Sequence, residues 1–403
     1  MSASTARTVR TVRMARTGLV AATAVVAALA LAAPAIAAAP ASGGSASTGS
    51  AAPARGDHRA TRKAMDANVE KGVVGIAVEA KDEHGVWKAT SGVGDLRTGE
   101  ARSAHDRFRA ASITKTFVST VVLQLAAEGR LSLDDKVDKW LPGLVRGKGN
   151  DGRRVTLRQL LNHTSGIYNY TDDDDFQRAF FLAEGFFKNR HRTMTPEQLV
   201  GIATKHKPDF APGTSWNYSN TNYVLAGMVI EKVTGNWYGD EIRHRVIEPL
   251  GLHGTKIPGT DPTVPGPHSR AYSKLAETTT GKTYDVTEYN PSAANSSGEL
   301  IASPGDLNRF YSALMRGKLL PKRQLAEMKT TVRVDGKRTG YGLGLVERKL
   351  SCGVQLWGHS GGIHGSLSEA VTTTDGSHSL AFNFNSDWTG DSEAIMEAEF
   401  CKK

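Results

Sequence analysis

Cysteine is scarce: Cys352 and Cys401 are the only two in 403 residues, which excludes a densely cross-linked scaffold. The 12 histidines are scattered and none falls in an H-E-x-x-H pattern. Zinc chemistry of that type is therefore excluded, and neither metal nor cofactor is expected. Lys and Arg outnumber Asp and Glu by 50 to 41, yet they gather on no stripe, so nucleic acid is not an expected partner. After residue 37 no apolar run reaches the roughly 20 residues that span a bilayer, so no stable membrane anchor is expected. No internal repeat is present. What is left is length for one large domain or two closely packed ones, expected as a monomer.

The N-terminus reads as an address. Arg7, Arg10, Arg13 and Arg16 precede an Ala, Val and Leu run from Gly18 to Ala33, and Ala35-Ile36-Ala37 offers a small-x-small cleavage site. That order predicts a secretory signal peptide over residues 1–37 and an extracellular product. A transmembrane anchor would need a longer run, and Pro34 and small residues follow this one. Residues 38–57, mostly Ala, Ser, Gly and Pro, predict a flexible leader, and residues 58–403 the folded domain. Four of the nine net positive charges lie in the first 37 residues, leaving a modest +5. In an exported chain an even cysteine pair suggests one disulfide, with free buried thiols as the alternative. The acidic run Asp172–Asp175 reads as a solvated loop, since it lacks the Gly and the spaced ligands of a calcium loop.

Hydrophobic patterning divides the domain. Val73–Val78 and Val86–Val93 alternate as strands around a charged turn, and Phe108–Ala111 is a third short apolar run. Thr114–Glu128 has helical spacing through Phe117, Val121, Val122 and Leu125, with Gly129 as its stop. This places Ser112 at or near a first helical turn. Leu157–Leu161 and Tyr223–Val233 predict helices, the second closed by Gly235, and a loop follows from Gly254 to Pro267. Leu300–Met315 predicts a helix entered at Ser303-Pro304. Strand patterns return at Tyr341–Val346, Val354–Trp357, Leu367–Thr373 and Leu380–Phe384, and Asp391–Phe400 closes the chain as a helix. The expected class is α/β (α+β): one antiparallel sheet built from both termini (58–115 and 300–403), flanked by helices, with an inserted mainly helical part (116–299). The seam between the two parts is the expected place for a pocket.

Three stretches carry chemistry. In Ser112-Ile-Thr-Lys115 the i and i+3 positions share a helix face. A lysine packed beside apolar walls can lose its proton and serve as base for a serine hydroxyl, which is otherwise a poor nucleophile. In Tyr218-Ser219-Asn220 a loop tyrosine could move protons if nearby cations lowered its pKa, and Asn220 could bond a substrate amide. In His359-Ser360-Gly361-Gly362, after a strand, the Gly pair would let a substrate backbone approach closely. There the Gly362 N–H could join that of Ser112 as an oxyanion donor, and His359 could supply a hydrogen bond or a positive charge. Each stretch taken alone also has an ordinary reading: a helix start, a capping loop, a Gly-rich turn. Arg338-Thr339-Gly340 looks similar to the third but precedes a strand, and is set aside.

In this order the motifs resemble the serine β-lactamase and D-alanyl-D-alanine carboxypeptidase superfamily, in which S-x-x-K is a signature element. Leu160-Leu-Asn-His-Thr-Ser-Gly166, Pro249-Leu-Gly-Leu252, Ser297-Gly-Glu-Leu-Ile-Ala302 and Tyr341-Gly-Leu-Gly344 extend the resemblance over roughly Asp66 to Phe400. It implies a β-lactamase/transpeptidase-like fold and an acyl-enzyme at Ser112. Lys115 would help deprotonate Ser112, Tyr218 would shuttle the proton to the leaving group, and Asn220, His359, Ser360, Gly361 and Gly362 would bind substrate. Peptidoglycan peptides or other small molecules are the implied substrates, and β-lactams the implied ligands. A histidine in the third motif and a Cys352–Cys401 disulfide are similar to the Streptomyces-type exported carboxypeptidase. In that branch an Arg and a Thr hold the substrate carboxylate. Val346 and Gly362 stand in those places here, leaving Arg348 as the candidate substitute. Losing the forked cation keeps esterase and D-aminopeptidase activity open, alongside a non-catalytic β-lactam sensor.

Overall fold

The computed structural model describes residues 57–276, 279–334 and 339–401. The expected signal peptide, and the leader up to residue 56, lie outside the described residues. Among the described residues no helix is long and apolar enough to cross a membrane.

An eight-stranded antiparallel sheet organises the domain. Its order is Gly85–Gly92, Gly75–Asp82, Ser379–Phe384, Ser366–Thr373, Gln355–Ile363, Val346–Lys349, Thr339–Tyr341, Val332–Arg333. The two chain ends meet inside it, with Ile76 opposite Phe384 and Val78 opposite Phe382. Alternation decides the faces, because successive strand side chains point to opposite sides. Ile76, Val78, Leu380, Phe382 and Phe384 pack under Met65 of the helix Arg59–Glu70 and under Ile395 and Met396 of the helix Ser392–Phe400. Ala370 and Ala381 point the other way, into the larger core that holds the helices Thr114–Ala127 and Pro304–Met315. The sequence pattern missed the first helix. It is tied down by His58 and Thr61, whose side chains reach Glu399 Oε2 at 3.0 and 2.6 Å.

The helix Thr114–Ala127 is surrounded by protein: nearly every side chain is buried, and buried polar ones such as Thr116 and Thr120 are bonded to carbonyls. Each of its large apolar groups contributes roughly 1.5–3 kcal/mol by leaving water, and Phe117 stacks on Phe310 with ring centres 3.8 Å apart. The division drawn between residues 115 and 116 falls inside this helix. The strand pair Phe108–Arg109 and Ile301–Ala302 brings together the points where the chain leaves for the helical part and returns from it.

Several expected elements form as read. Leu157–Leu161 is a helix; Asn220–Thr234 is another, ended by Gly235 in the left-handed conformation at φ +79°. Ser303 caps Pro304–Met315 by accepting from the Asp306 N–H. Others differ. Residues 341–346 form no strand of their own; Thr339–Tyr341 and Val346–Lys349 are two strands joined by a tight bend. His359–Gly362 does not follow a strand as a turn but lies within Gln355–Ile363. The acidic run is no loop either: Asp173 caps the helix Asp174–Phe180 by accepting from the Phe176 N–H, which sets Asp174 and Asp175 at its positive end. Cys352 and Cys401 form a disulfide that ties the approach to Gln355–Ile363 to the C-terminus.

Candidate active site

Ser112 sits in a single 3-10 turn, Ala111–Ile113, just before the buried helix. Ala111 precedes it at φ +50°, a conformation that non-glycine residues rarely hold unless their surroundings enforce it. Those surroundings are visible. The Ala110 carbonyl accepts from Ser368 Oγ at 3.0 Å, and Ser366 Oγ donates to the Arg109 carbonyl at 2.7 Å. A Cβ on Gly361 would lie 2.1 Å from the Ala110 oxygen. Gly361 therefore serves contact between the sheet and the serine turn, not the substrate approach expected of it. Gly362 is exposed and lines the cavity in front of Ser112.

Lys115, one helical turn on, is completely buried. Its Nζ lies 3.0 Å from Ser112 Oγ, 2.8 Å from Asn220 Oδ1 and 2.6 Å from the Ser297 carbonyl. Burial holds its pKa well below the ordinary 10.5. Asn220 completes its amide by donating to Thr171 Oγ1 at 3.3 Å. The face of the Tyr218 ring is 4.8 Å from Lys115 Nζ, and Ser112 is the neighbour that acts on its phenol. No cation lowers that phenol: burial raises its pKa, and Ser112 offsets this only in part. Tyr218 is thus held protonated. Lys115 thus links Ser112 to Asn220, and Gly362 lines the same cavity as Ser112.

His359 is not a charge for substrate. It is buried, and its pKa falls to about 3, chiefly through burial and secondarily through Lys115. Its Nε2 faces the Tyr341 hydroxyl at 2.9 Å, and its Nδ1 lies 2.5 Å from the Ser360 carbonyl. Arg348 cannot stand in for the missing carboxylate-binding arginine, because its Nη1 is 2.9 Å from the buried Glu369 Oε2. Strand Val346–Lys349 pairs with Gln355–Ile363 only as far as Val346 opposite Gly358. From His359 onward that side of the strand has no strand partner among the described residues, leaving an edge beside Ser112.

A cavity of about 230 Å³ opens on Ser112. Phe176, Phe180, Phe181, Phe186, Tyr170 and Tyr289 give it an aromatic wall, and among the described residues no acidic side chain lines it. The Tyr289 hydroxyl is buried and has no hydrogen-bond partner among the described residues. Neither this wall nor His163 and Tyr341 behind Tyr218 received a role from sequence. The phenylalanine-rich run 176–187 was the available signal for the wall, and Leu160–Gly166 and Tyr341–Gly344 were noticed only as marks of resemblance.

Fold and site together define a serine hydrolase of the penicillin-recognising type. Residues 58–395 match the Beta-lactamase family, and the chain belongs to that family. It is similar to the D-stereospecific amidohydrolase from Streptomyces sp., with 55% identity, 86% of this chain and 99% of that one covered, and a TM-score of 0.82. It is also similar to the D-amino acid amidase from Ochrobactrum anthropi SV3 complexed with D-phenylalanine, at 28% identity over 84% of this chain and 98% of that one, TM-score 0.72. Penicillin-binding protein 4* from Bacillus subtilis (strain 168) is 26% identical over 345 residues, covering 80% of this chain and 71% of that protein.

Proposed function

We propose that the protein is an exported D-stereospecific amidohydrolase. It would open the amide or ester bond on the carbonyl side of a D-amino-acid residue with an aromatic or other large apolar side chain, through an acyl-enzyme on Ser112. The observation that carries this reading is the aromatic-walled cavity of about 230 Å³ with Ser112 at its mouth. An apolar cavity of roughly 150 Å³ already holds a benzene ring. The likeness to a D-stereospecific amidohydrolase and to an amidase holding D-phenylalanine supports the same substrate class. A carboxypeptidase reading would want a cation at the leaving group; Arg348, the candidate the sequence offers, is paired with Glu369, and the arginine that lines the cavity, Arg190, lies over the Phe187 ring.

The bonding around Lys115 suggests the order of events. A neutral amine has two N–H donors and one lone pair. Two of its neighbours, Asn220 Oδ1 and the Ser297 carbonyl, can only accept, and the third is the Ser112 hydroxyl. The lone pair therefore faces the proton to be removed. As Ser112 Oγ attacks the substrate carbonyl, its proton passes to Lys115 Nζ. The backbone N–H groups of Ser112 and Gly362 receive the oxyanion. Tyr218 gives its phenolic proton to the leaving nitrogen and is reprotonated from Lys115, so the C–N bond breaks as an N–H bond forms. Water then takes the leaving group's place, and the same transfers run in reverse to release the acid.

A substrate panel tests the proposal: D- and L-Phe p-nitroanilide, a D-Ala-D-Ala peptide, nitrocefin and p-nitrophenyl butyrate, each with wild type and Ser112→Ala. The D-anilide should be cleaved fastest, and fluorophosphonate should label wild type but not Ser112→Ala. Preference for the D-Ala-D-Ala peptide would overturn the substrate class. Label retained in Ser112→Ala would overturn the nucleophile.

A further inference from the structure

Behind Tyr218 lies a hydrogen-bonded chain that the reaction scheme above does not use. His163 lies in the loop after the helix Leu157–Leu161 and adopts φ +61°. It grips both neighbours of Tyr218: its carbonyl accepts from the Asn217 N–H at 3.1 Å, and its Nδ1 accepts from the Ser219 N–H at 3.1 Å. Its ring packs on Tyr218 with centroids 4.3 Å apart. The remaining ring nitrogen, Nε2, lies 3.1 Å from the Tyr341 hydroxyl, which in turn lies 2.9 Å from His359 Nε2.

The proton positions follow without ambiguity. A backbone N–H can only donate, so His163 Nδ1 is the acceptor and the proton is on Nε2. Asn222 agrees: its Oδ1 accepts from Ser165 Oγ at 2.7 Å, which turns its Nδ2 toward the same His163 Nδ1 at 3.2 Å. At the far end the Ser360 carbonyl can only accept, so His359 carries its proton on Nδ1 and leaves Nε2 to accept from Tyr341. The chain runs in one direction, from the Ser219 N–H through His163, Tyr341 and His359 to the Ser360 carbonyl. It is buried at His163, Tyr341 and His359, where unmade bonds are costly. It joins the Tyr218 loop to the strand edge beside Ser112.

We infer that His163 is a positioning residue for Tyr218, locked in one tautomer by Tyr341 and His359, and that it sets the phenol against Ser112 for protonation of the leaving nitrogen. This rests on the reading of Tyr218 as the proton carrier. His163 touches no reacting atom, so its effect must pass through Tyr218.

That route gives it a signature that a merely structural residue lacks. An anilide needs its nitrogen protonated as it leaves; fluoride displaced from a fluorophosphonate by Ser112 does not. The experiment measures both rates, anilide cleavage and Ser112 labelling, in wild type, His163→Phe, His163→Asn and Tyr218→Phe. His163→Phe keeps a ring and loses both nitrogens. It should cut kcat on the anilide about 100-fold, the scale of lost general-acid catalysis, with KM within about threefold and labelling within about fivefold. His163→Asn, whose Oδ1 can replace Nδ1 and which tolerates positive φ, should recover most of the loss. Combined with Tyr218→Phe, His163→Phe should add little, because the two act as a unit. Equal losses in both rates, or full additivity with Tyr218→Phe, would overturn the inference. Should His163→Phe fail to fold, shown by loss of the cooperative thermal melt, Tyr341→Phe removes the partner of Nε2 instead and should depress the anilide-to-label ratio in the same sense. An unchanged ratio there overturns the inference as well. If wild type labels at Ser112 but leaves the D-anilide intact, the substrate reading has failed separately. The ratio is then taken with whichever nitrogen-leaving member of the panel is turned over.

Discussion

Replacing Lys115 by Met should abolish most turnover while sparing the fold, and both halves of that statement can be sized. Met keeps an unbranched side chain of similar length in a completely buried position, so no large void opens. What vanishes is the base 3.0 Å from Ser112 Oγ. General-base catalysis is worth about 10²- to 10⁴-fold, or roughly 3–5 kcal/mol of barrier. On stability two effects oppose. Asn220 Oδ1 and the Ser297 carbonyl lose a donor, each at roughly 1–3 kcal/mol if left unsatisfied. Against that, an amine no longer has to be kept out of water, a gain of similar order. The melting temperature should therefore move little while kcat collapses. Acidity adds a second check. Lys115 titrates below 10.5 in the folded protein because it is buried, so between its depressed pKa and 10.5 the unfolded chain binds the extra proton. Stability contributed by this group then rises with pH across that interval and is lost as pH falls through the folded pKa. Activity rises in the same direction, as the free amine appears. Initial rates on the D-anilide against pH, fluorophosphonate labelling and thermal melting of both proteins provide the assay. Turnover within about tenfold of wild type, with Ser112 still labelled, would refute the role given to Lys115.

Three other perturbations follow from the geometry. Gly361→Ala places a Cβ 2.1 Å from the Ala110 carbonyl, so the serine turn must shift; a loss of about 1–3 kcal/mol in stability and a fall in labelling rate are expected, read by denaturant melts and fluorophosphonate kinetics. Phe180→Ala, in the aromatic wall, should lower kcat/KM for D-Phe p-nitroanilide about ten- to a hundredfold and change the D-Ala anilide far less; equal effects on both would show that the wall does not hold the side chain. Replacing Cys352 and Cys401 together by Ser removes a cross-link across 49 residues, worth about 4 kcal/mol by loop-closure entropy, and should lower the melting temperature while leaving KM for the anilide unchanged.

Much of the fold is legible in the chain because its signals are local. The Ser303-Pro304 start, the stop at Gly235 and the alternation of Leu380, Phe382 and Phe384 each report a backbone geometry set by neighbouring residues. Misreadings arose where local pattern was shared. Tyr341–Val346 has strand-like apolar content, but its glycines mark a bend between two strands. His359-Ser-Gly-Gly has turn-like content, yet strand Ser366–Thr373 pairs with it throughout. Arg59–Glu70 went unseen because its fold depends on contacts with the far end of the chain, at Glu399 and Met396.

The proposed nucleophile, amine and phenol were picked out from order and residue type, since the chemistry of acyl transfer demands such groups whatever surrounds them. Tertiary structure alone decided their ionisation and the company they keep. Burial depresses the pKa of Lys115 and raises that of Tyr218; Glu369 pairs with Arg348; helices some 60 residues beyond Ser112 supply the aromatic wall. Desolvation and pairing are properties of what lies across space, and residues distant in the chain write no trace of their meeting into a single sequence.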